Sequence, residues 1–276
     1  MPNVLFTCPG QIGDDLFRFP IAYQYAKQRS IKIDIALWEG SKTLLSLLTD
    51  EPWVDNVFTS PGITGLPLGG QPWDFGRDAE WRTQYTHVYH LGYRRYPYPR
   101  INNTLECLET SETPINIDSL LTEPCLTKHT HKSTKNLAVH FDASCEMRNS
   151  TSFQTVAPLF DNLRDMFTTC FLLGIRFDRP QYTAIIARYG NWVVPISDSG
   201  DWNVTAKVLE ECVLVGTYGS MWALMNCMKG PQVVIMDTDF IRDKGNKISF
   251  PEVERLVVVG DSTGVLNNTI ELVNRG

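Results

Sequence analysis

The chain has 276 residues, 43% of them apolar and 20% charged, and a net charge of −6. At roughly 100–200 residues per domain, that length holds one large domain or two compact ones. The composition excludes a globally disordered chain and argues against a generic polyanion-coating protein, which would be basic; a local basic groove stays compatible with it.

The N-terminus, Met1-Pro2-Asn3-Val4-Leu5-Phe6-Thr7-Cys8, has no basic stretch leading into a long apolar run, so no secretory signal is expected. No window approaches the roughly 18 continuous apolar residues of a membrane span. The seven cysteines are odd in number and form no C-x-x-C pair. They read as reduced thiols of a cytoplasmic protein, each a small buried apolar residue, and not as a disulfide framework or a zinc site.

Val4–Thr7 is the first expected strand, running into the loop Cys8–Gly13. Asp14 and Asp15 then open a helix reaching about Gln28, with Leu16, Phe19, Ala22, Tyr23 and Ala26 as its apolar stripe and Pro20 as a kink. Ile31–Leu37 reads as a strand, Leu44–Leu48 as a short helix and Val54–Phe58 as a strand. A Pro- and Gly-rich stretch with Trp73 and Trp81 covers Ser60 to Arg82, and loops of that length are often functional. Thr86–Leu91 is the next strand, ending in the basic-aromatic run Tyr93-Arg94-Arg95-Tyr96-Pro97-Tyr98-Pro99-Arg100; a helix is expected around Asn103–Leu108.

Cys125–Lys135 is polar and reads as a linker whose His and Lys side chains are solvated. His129 and His131 have no third ligand nearby, so no metal site is expected there. Past it the pattern restarts. Strands are expected at Leu137–Phe141, Thr168–Leu173, Trp192–Ile196, Val213–Val215, Val233–Met236 and Leu256–Val259. Helices are expected at Phe153–Met166, Pro180–Tyr189, Val204–Cys212, Met221–Met228 and Val265–Val273. Strand–helix alternation means parallel sheets covered by helices. We therefore expect an α/β protein of two Rossmann-like domains facing a cleft. Residues 1–130 form the first and 131–276 the second, with a terminal helix able to pack back on the first.

Three strand-to-helix loops carry the candidate chemistry. In Gly10-Gln11-Ile12-Gly13-Asp14, glycine lets backbone amides approach a ligand, and the helix start is occupied by carboxylates. Asp15 reads as a helix N-cap, and Asp14 as either a cap or a general base. In Asp142–Arg148, the Arg148 guanidinium suits a phosphate clamp. In Gly216-Thr217-Tyr218-Gly219-Ser220, small residues and amides before a helix suit a diphosphate. The Lys of an ATP-hydrolysing P-loop is missing, and no G-x-G-x-x-G follows a strand.

These loops, in this order, carry a resemblance. Gly13-Asp14-Asp15-Leu16 with Pro20 resembles the Gly-Asp-x-Leu-x-x-x-Pro start of the heptosyltransferase family (family 9) of GT-B glycosyltransferases. The strand Thr86–Leu91 with Gly92, the segment from Val139-His140 to Arg148, the strand Phe171–Gly174, and Val213–Leu224 with Lys229–Ile235 are similar to successive segments of that family. The resemblance implies a GT-B fold with the acceptor on the first domain and a nucleotide-sugar donor mainly on the second. It implies metal-independent, inverting transfer with no cofactor beyond the nucleotide sugar as co-substrate. It places the catalytic aspartate at Asp14 and the basic phosphate ligand at Arg148. Donor contacts are expected from Gly216, Thr217, Tyr218, Gly219 and Ser220, and acceptor contacts from Gly13, Arg94 and Arg95. The chain departs from the family where an Asn-Asp-Ser/Thr-Gly donor loop gives way to Thr217–Ser220 and a following His gives way to Ala223, which leaves the donor sugar open.

A saccharide is the default acceptor. The cations and aromatics of Tyr93–Arg100 also suit phosphates and stacked bases, so transfer to modified bases of DNA is an alternative. A non-catalytic sugar-nucleotide-binding protein of the same architecture and a nucleotide-sugar epimerase are the rivals from other classes.

Overall fold

The computed structural model describes residues 3–8, 10, 12–16, 18–60, 63, 83–91, 123–141, 153–174, 177–197, 200–216, 220–230, 232–236, 256–259 and 262–275. They fall into two compact units, one ending at Lys128 and the other beginning at His129.

The first unit runs β1 (Val4–Cys8), α1 (Ile12–Leu16), α2 (Phe19–Arg29), β2 (Ile33–Trp38), a 3-10 turn (Glu39–Leu44) continuing into α3 (Leu45–Leu48), β3 (Val54–Ser60) and β4 (His87–His90). Its four strands are all parallel, in the order β3-β2-β1-β4. β1 is buried along its whole length, as an uninterrupted apolar run in a parallel sheet should be. Phe6, Tyr25 and Tyr89 have ring centroids 4.9–5.2 Å apart, and the Tyr25 and Tyr89 hydroxyls are 3.0 Å from each other. This cluster ties α2 to β1 and β4.

The single kinked helix expected from Asp14 to Gln28 is two helices. Pro20 is the second residue of α2, not an interior kink. Proline lacks an N–H and fits the first turn, where that donor is surplus. The new helix starts as the Arg18 carbonyl accepts from the amides of Ile21 (3.0 Å) and Ala22 (3.3 Å).

The second unit runs β5 (Asn136–His140), α4 (Phe153–Leu163), β6 (Cys170–Gly174), α5 (Pro180–Tyr189), β7 (Val193–Ser197), α6 (Trp202–Leu209), β8 (Cys212–Gly216), α7 (Ser220–Cys227), β9 (Gln232–Met236), β10 (Leu256–Val259) and α8 (Ser262–Arg275). The strands are parallel, in the order β7-β6-β5-β8-β9-β10. Renumbered within the unit, that order is the 3-2-1-4-5-6 of a Rossmann sheet. Leu137, Val139, Phe160, Leu172, Tyr182 and Val215 are among its core residues, with Phe160 stacked 5.3 Å from Tyr189 and edge-on 6.0 Å from Trp192. α8 packs against α4, β8 and β9. Among the described residues Cys8, Cys125, Cys170, Cys212 and Cys227 are free and buried, as the apolar reading of the cysteines requires. Cys107, Cys145 and the helix expected at Asn103–Leu108 lie outside the described residues.

The division between the units falls inside the stretch Cys125–Lys135 and its Lys128, Lys132 and Lys135 are exposed, as expected, but His129 is not solvated. Cys125 and Leu126 are fully buried, and His129 is only 3% exposed. The Trp53 indole donates to the Cys125 carbonyl (2.8 Å). Both ring nitrogens of His129 are engaged, Nδ1 with Glu210 Oε1 at 2.8 Å and Nε2 with Asn203 Oδ1 at 3.0 Å, and Lys132 pairs with the other Glu210 oxygen. The cause is long-range: the turn between α6 and β8 presents a buried carboxylate that no local pattern announces, and the chain entering the second unit supplies its partners. Backbone bonds reinforce the attachment, from the amides of His131 to Lys229 and of Asn136 to Glu211.

Burial alone would raise the Glu210 carboxyl, but hydrogen bonds from Lys132 and His129 outweigh it and hold the group below its usual 4.5. A depressed carboxylate stabilises the fold fully above its unfolded value and loses that contribution as pH falls through the folded one. Stability is therefore expected to fall below pH 4.5, less steeply in Glu210→Gln than in the native chain. At pH 7, His129→Ala should cost about 2–4 kcal/mol by leaving the buried carboxylate short of a partner. Urea unfolding across pH checks both expectations.

Candidate active site

Parallel strands all leave a sheet at one edge. Where the strand order reverses, the loops of two neighbouring strands turn to opposite faces and leave a crevice. The reversal lies between β1 and β4 in the first unit and between β5 and β8 in the second. The four sequence segments singled out for chemistry directly follow these four strands. Gly10–Asp14 follows β1, Gly92–Arg100 follows β4, Asp142–Ser150 follows β5, and Thr217–Ser220 follows β8. Arg94, Arg95, Arg148, Thr217, Tyr218 and Gly219 lie outside the described residues.

Gly13 and Asp14 are the second and third residues of α1. The helix opens at Ile12, two residues earlier than the sequence suggests, so Asp15 is not an N-cap. It is the fourth residue of α1, fully buried, and its carboxylate reaches back to accept from the Gly10 amide (2.9 Å). The same oxygen accepts from Arg18 Nη1 at 3.0 Å, and Arg18 is 1% exposed. From the turn after β2, the Ser41 hydroxyl donates to the Gly10 carbonyl (3.0 Å). Asp15 with Arg18 has helical i, i+3 spacing and was open to a sequence reading. Ser41 has no local signal, because its partner is 31 residues away.

Cys8 ends β1 beside this cluster. Burial pushes its thiol well above the usual range, and the Asp15 charge adds to the rise. It therefore stays protonated at neutral pH and is not a nucleophile here.

In the second unit, Gly216 and His140 are partners in the β5–β8 register, each the last residue of its strand. A Cβ on Gly216 would lie 2.2 Å from the His140 carbonyl oxygen, so glycine is required by close backbone approach and not only by turn geometry. His140 is 2% exposed. Ser220 is the first residue of α7. Ala223, at the position where the resemblance has a His, is fully buried. Among the described residues, no group of three or more His, Cys, Asp or Glu side chains is placed to hold a metal ion.

The contact at Gly216 ranks two substitutions. Gly216→Ala drives a methyl into backbone that cannot swing aside and should cost about 3 kcal/mol or more. Gly174→Ala meets first the Tyr182 hydroxyl, 3.2 Å away at the far end of a side chain, and should cost distinctly less. Thermal unfolding of the two variants tests the order.

No protein-family model matches the chain, and no curated protein matches it. Solved structures do. A glycosyl transferase of family 9 from Veillonella parvula superposes with a TM-score of 0.69 at 10% identity, covering 100% of this chain and 98% of its own. The ADP-heptose LPS heptosyltransferase II of E. coli gives 0.66 at 11% identity, covering 99% of both chains. The E. coli heptosyltransferase WaaC with ADP gives 0.59 at 12% identity, covering 98% of this chain and 99% of that one. The chain thus has the GT-B fold of these glycosyltransferase structures over its whole length.

Proposed function

We propose that the chain is a glycosyltransferase that moves a sugar from a nucleoside-diphosphate donor to a hydroxyl acceptor, with a saccharide as the acceptor and inversion at the anomeric carbon. The observation that carries the reading is the match of fold over full length, combined with the chain order that puts every candidate loop after a strand at a point of reversed order. Two of the matched structures bear names with ADP or ADP-heptose, which supports an adenosine diphosphate sugar as the first donor to try.

In this reading Asp14 takes the proton of the acceptor hydroxyl as its oxygen forms a bond to the anomeric carbon. The bond from that carbon to the diphosphate oxygen breaks on the opposite face, and the electron pair leaves with the diphosphate. The amides of Gly216–Ser220, the start of α7 and the Arg148 guanidinium stabilise the departing charge, so the reading needs no metal. Such donors act best when fixed before the reaction, and the Gly216–His140 contact fixes the end of β8.

A second reading has two observations in its favour. Ala223 is a buried methyl where the resemblance has a His, and the loop before it lacks a carboxylate. Those losses fit a protein that binds a sugar nucleotide without turning it over.

One experiment separates the two. ADP-, UDP-, GDP- and dTDP-linked sugars are screened by thermal shift, and those that bind are assayed for release of the nucleoside diphosphate with a panel of mono- and oligosaccharide acceptors and with water alone. A ligand at 100 times its dissociation constant adds about 2.7 kcal/mol of stability. Binding with release, and a drop in rate of about 100-fold or more in Asp14→Asn, is the expected result. Binding without release from any donor favours the binding protein, and release unaffected in Asp14→Asn removes this residue from the mechanism.

A further inference from the structure

We propose that Asp15, Arg18 and Ser41 are positioning residues that clamp Gly10 and, through it, the single helical turn carrying Asp14. The chemical consequence rests on the transferase reading; the clamp itself rests on the geometry of the first unit.

α1 has five residues. A helix that short has no stability of its own, because nucleation fixes several residues for one hydrogen bond. Its place must be imposed from outside, and both ends are tied. Ahead of the helix, both backbone polar groups of Gly10 are held: its amide by the Asp15 carboxylate at 2.9 Å and its carbonyl by the Ser41 hydroxyl at 3.0 Å. Behind it, the Arg18 amide donates to the Asp15 carbonyl (2.9 Å) and the guanidinium to the Asp15 carboxylate (3.0 Å). The Arg18 carbonyl then accepts the first amides of α2. One carboxylate thus joins the segment before α1 to the segment after it. Ser41 joins the same point to the neighbouring strand's exit.

A fully buried ion pair contributes little net stability compared with an apolar pair of the same shape. What Asp15 and Arg18 supply is direction, since each of these bonds works over a narrow range of angle and distance. Asp14 sits between Gly13 and Asp15, so its backbone position follows from them. A general base must come within hydrogen-bonding reach of its proton, and a misplacement of about 1 Å costs on the order of 100-fold in rate. The clamp therefore acts on turnover more than on donor affinity.

The test compares two double variants that both remove the charges together and so strand no buried ion. Asp15→Asn with Arg18→Met keeps an acceptor facing the Gly10 amide. Asp15→Leu with Arg18→Met removes it. Amide hydrogen exchange is read over Ile12–Leu16, and kcat and KM are read as nucleoside diphosphate release from the ADP-, UDP-, GDP- and dTDP-sugar panel in the presence of the same saccharide acceptors. The Leu/Met pair should exchange about tenfold faster than the Asn/Met pair in α1, with β1 and α2 unchanged. Its kcat should be lower by on the order of tenfold or more, with donor KM within about twofold. Ser41→Ala should move kcat and exchange in the same direction, and Ser41→Thr should restore them. Equal exchange in the two pairs overturns the clamp, and unequal exchange with equal kcat overturns its role in positioning. A native chain that releases diphosphate from no donor overturns the transferase reading, and the positioning role with it, while the exchange comparison still decides the clamp.

Discussion

The close approach of β8 to β5 is the constraint on which the second unit depends. Right-handed crossovers put successive helices on the same face while strands are added in one direction, so the return after β7 to the free side of β5 is what sends the later helices to the other face. That return makes β8 the neighbour of β5 at a register offset of 76 residues, with Leu137 facing Val213 and His140 facing Gly216, and the last of these pairs is the decisive one. At the last pair the His140 carbonyl occupies the space a Gly216 side chain would need. β5 and β8 are the strands between which the order reverses, and open α/β sheets as a class bind ligands beyond the ends of such strands. β1 and β4 repeat the arrangement in the first unit, with Thr7 opposite His90.

Two buried polar clusters do a different job from the apolar core. The core supplies the driving force for each unit, through side chains such as Leu5, Phe6, Val139 and Phe160 that are removed entirely from water. Asp15 with Arg18, and Glu210 with His129 and Lys132, offset much of their own desolvation and little more. Their effect is geometric. The first holds the turn after β1 where Asp14 is carried; the second fixes the chain entering the second unit onto the α6–β8 turn. Both lie next to segments whose local structure is too short or too irregular to hold itself.

The core strands were legible because a buried parallel strand needs a run of apolar residues whatever else surrounds it. Val4–Cys8 and Cys212–Gly216 were readable for that reason, and the helix Pro180–Tyr189 from a proline at its start. The split between α1 and α2 was hidden because the apolar stripe continues across it; only the hydrogen bonds of Arg18 and Asp15 show the break. Within Cys125–Lys135 the burial of His129 was missed because a buried histidine is indistinguishable in sequence from a solvated one, and its partner Glu210 is far along the chain.

The sequence by itself determined the α/β class, the alternation of elements and the segments singled out around Gly13–Asp14 and Gly216–Ser220, since each depends on residue type and spacing within a few neighbours. Tertiary structure alone decided the strand order that places those segments after the strands at the point of reversal, the burial of His129 and Asp15, and the need for glycine at 216. Each of these depends on which distant segment arrives alongside, and residues far apart in sequence leave no periodic trace of meeting.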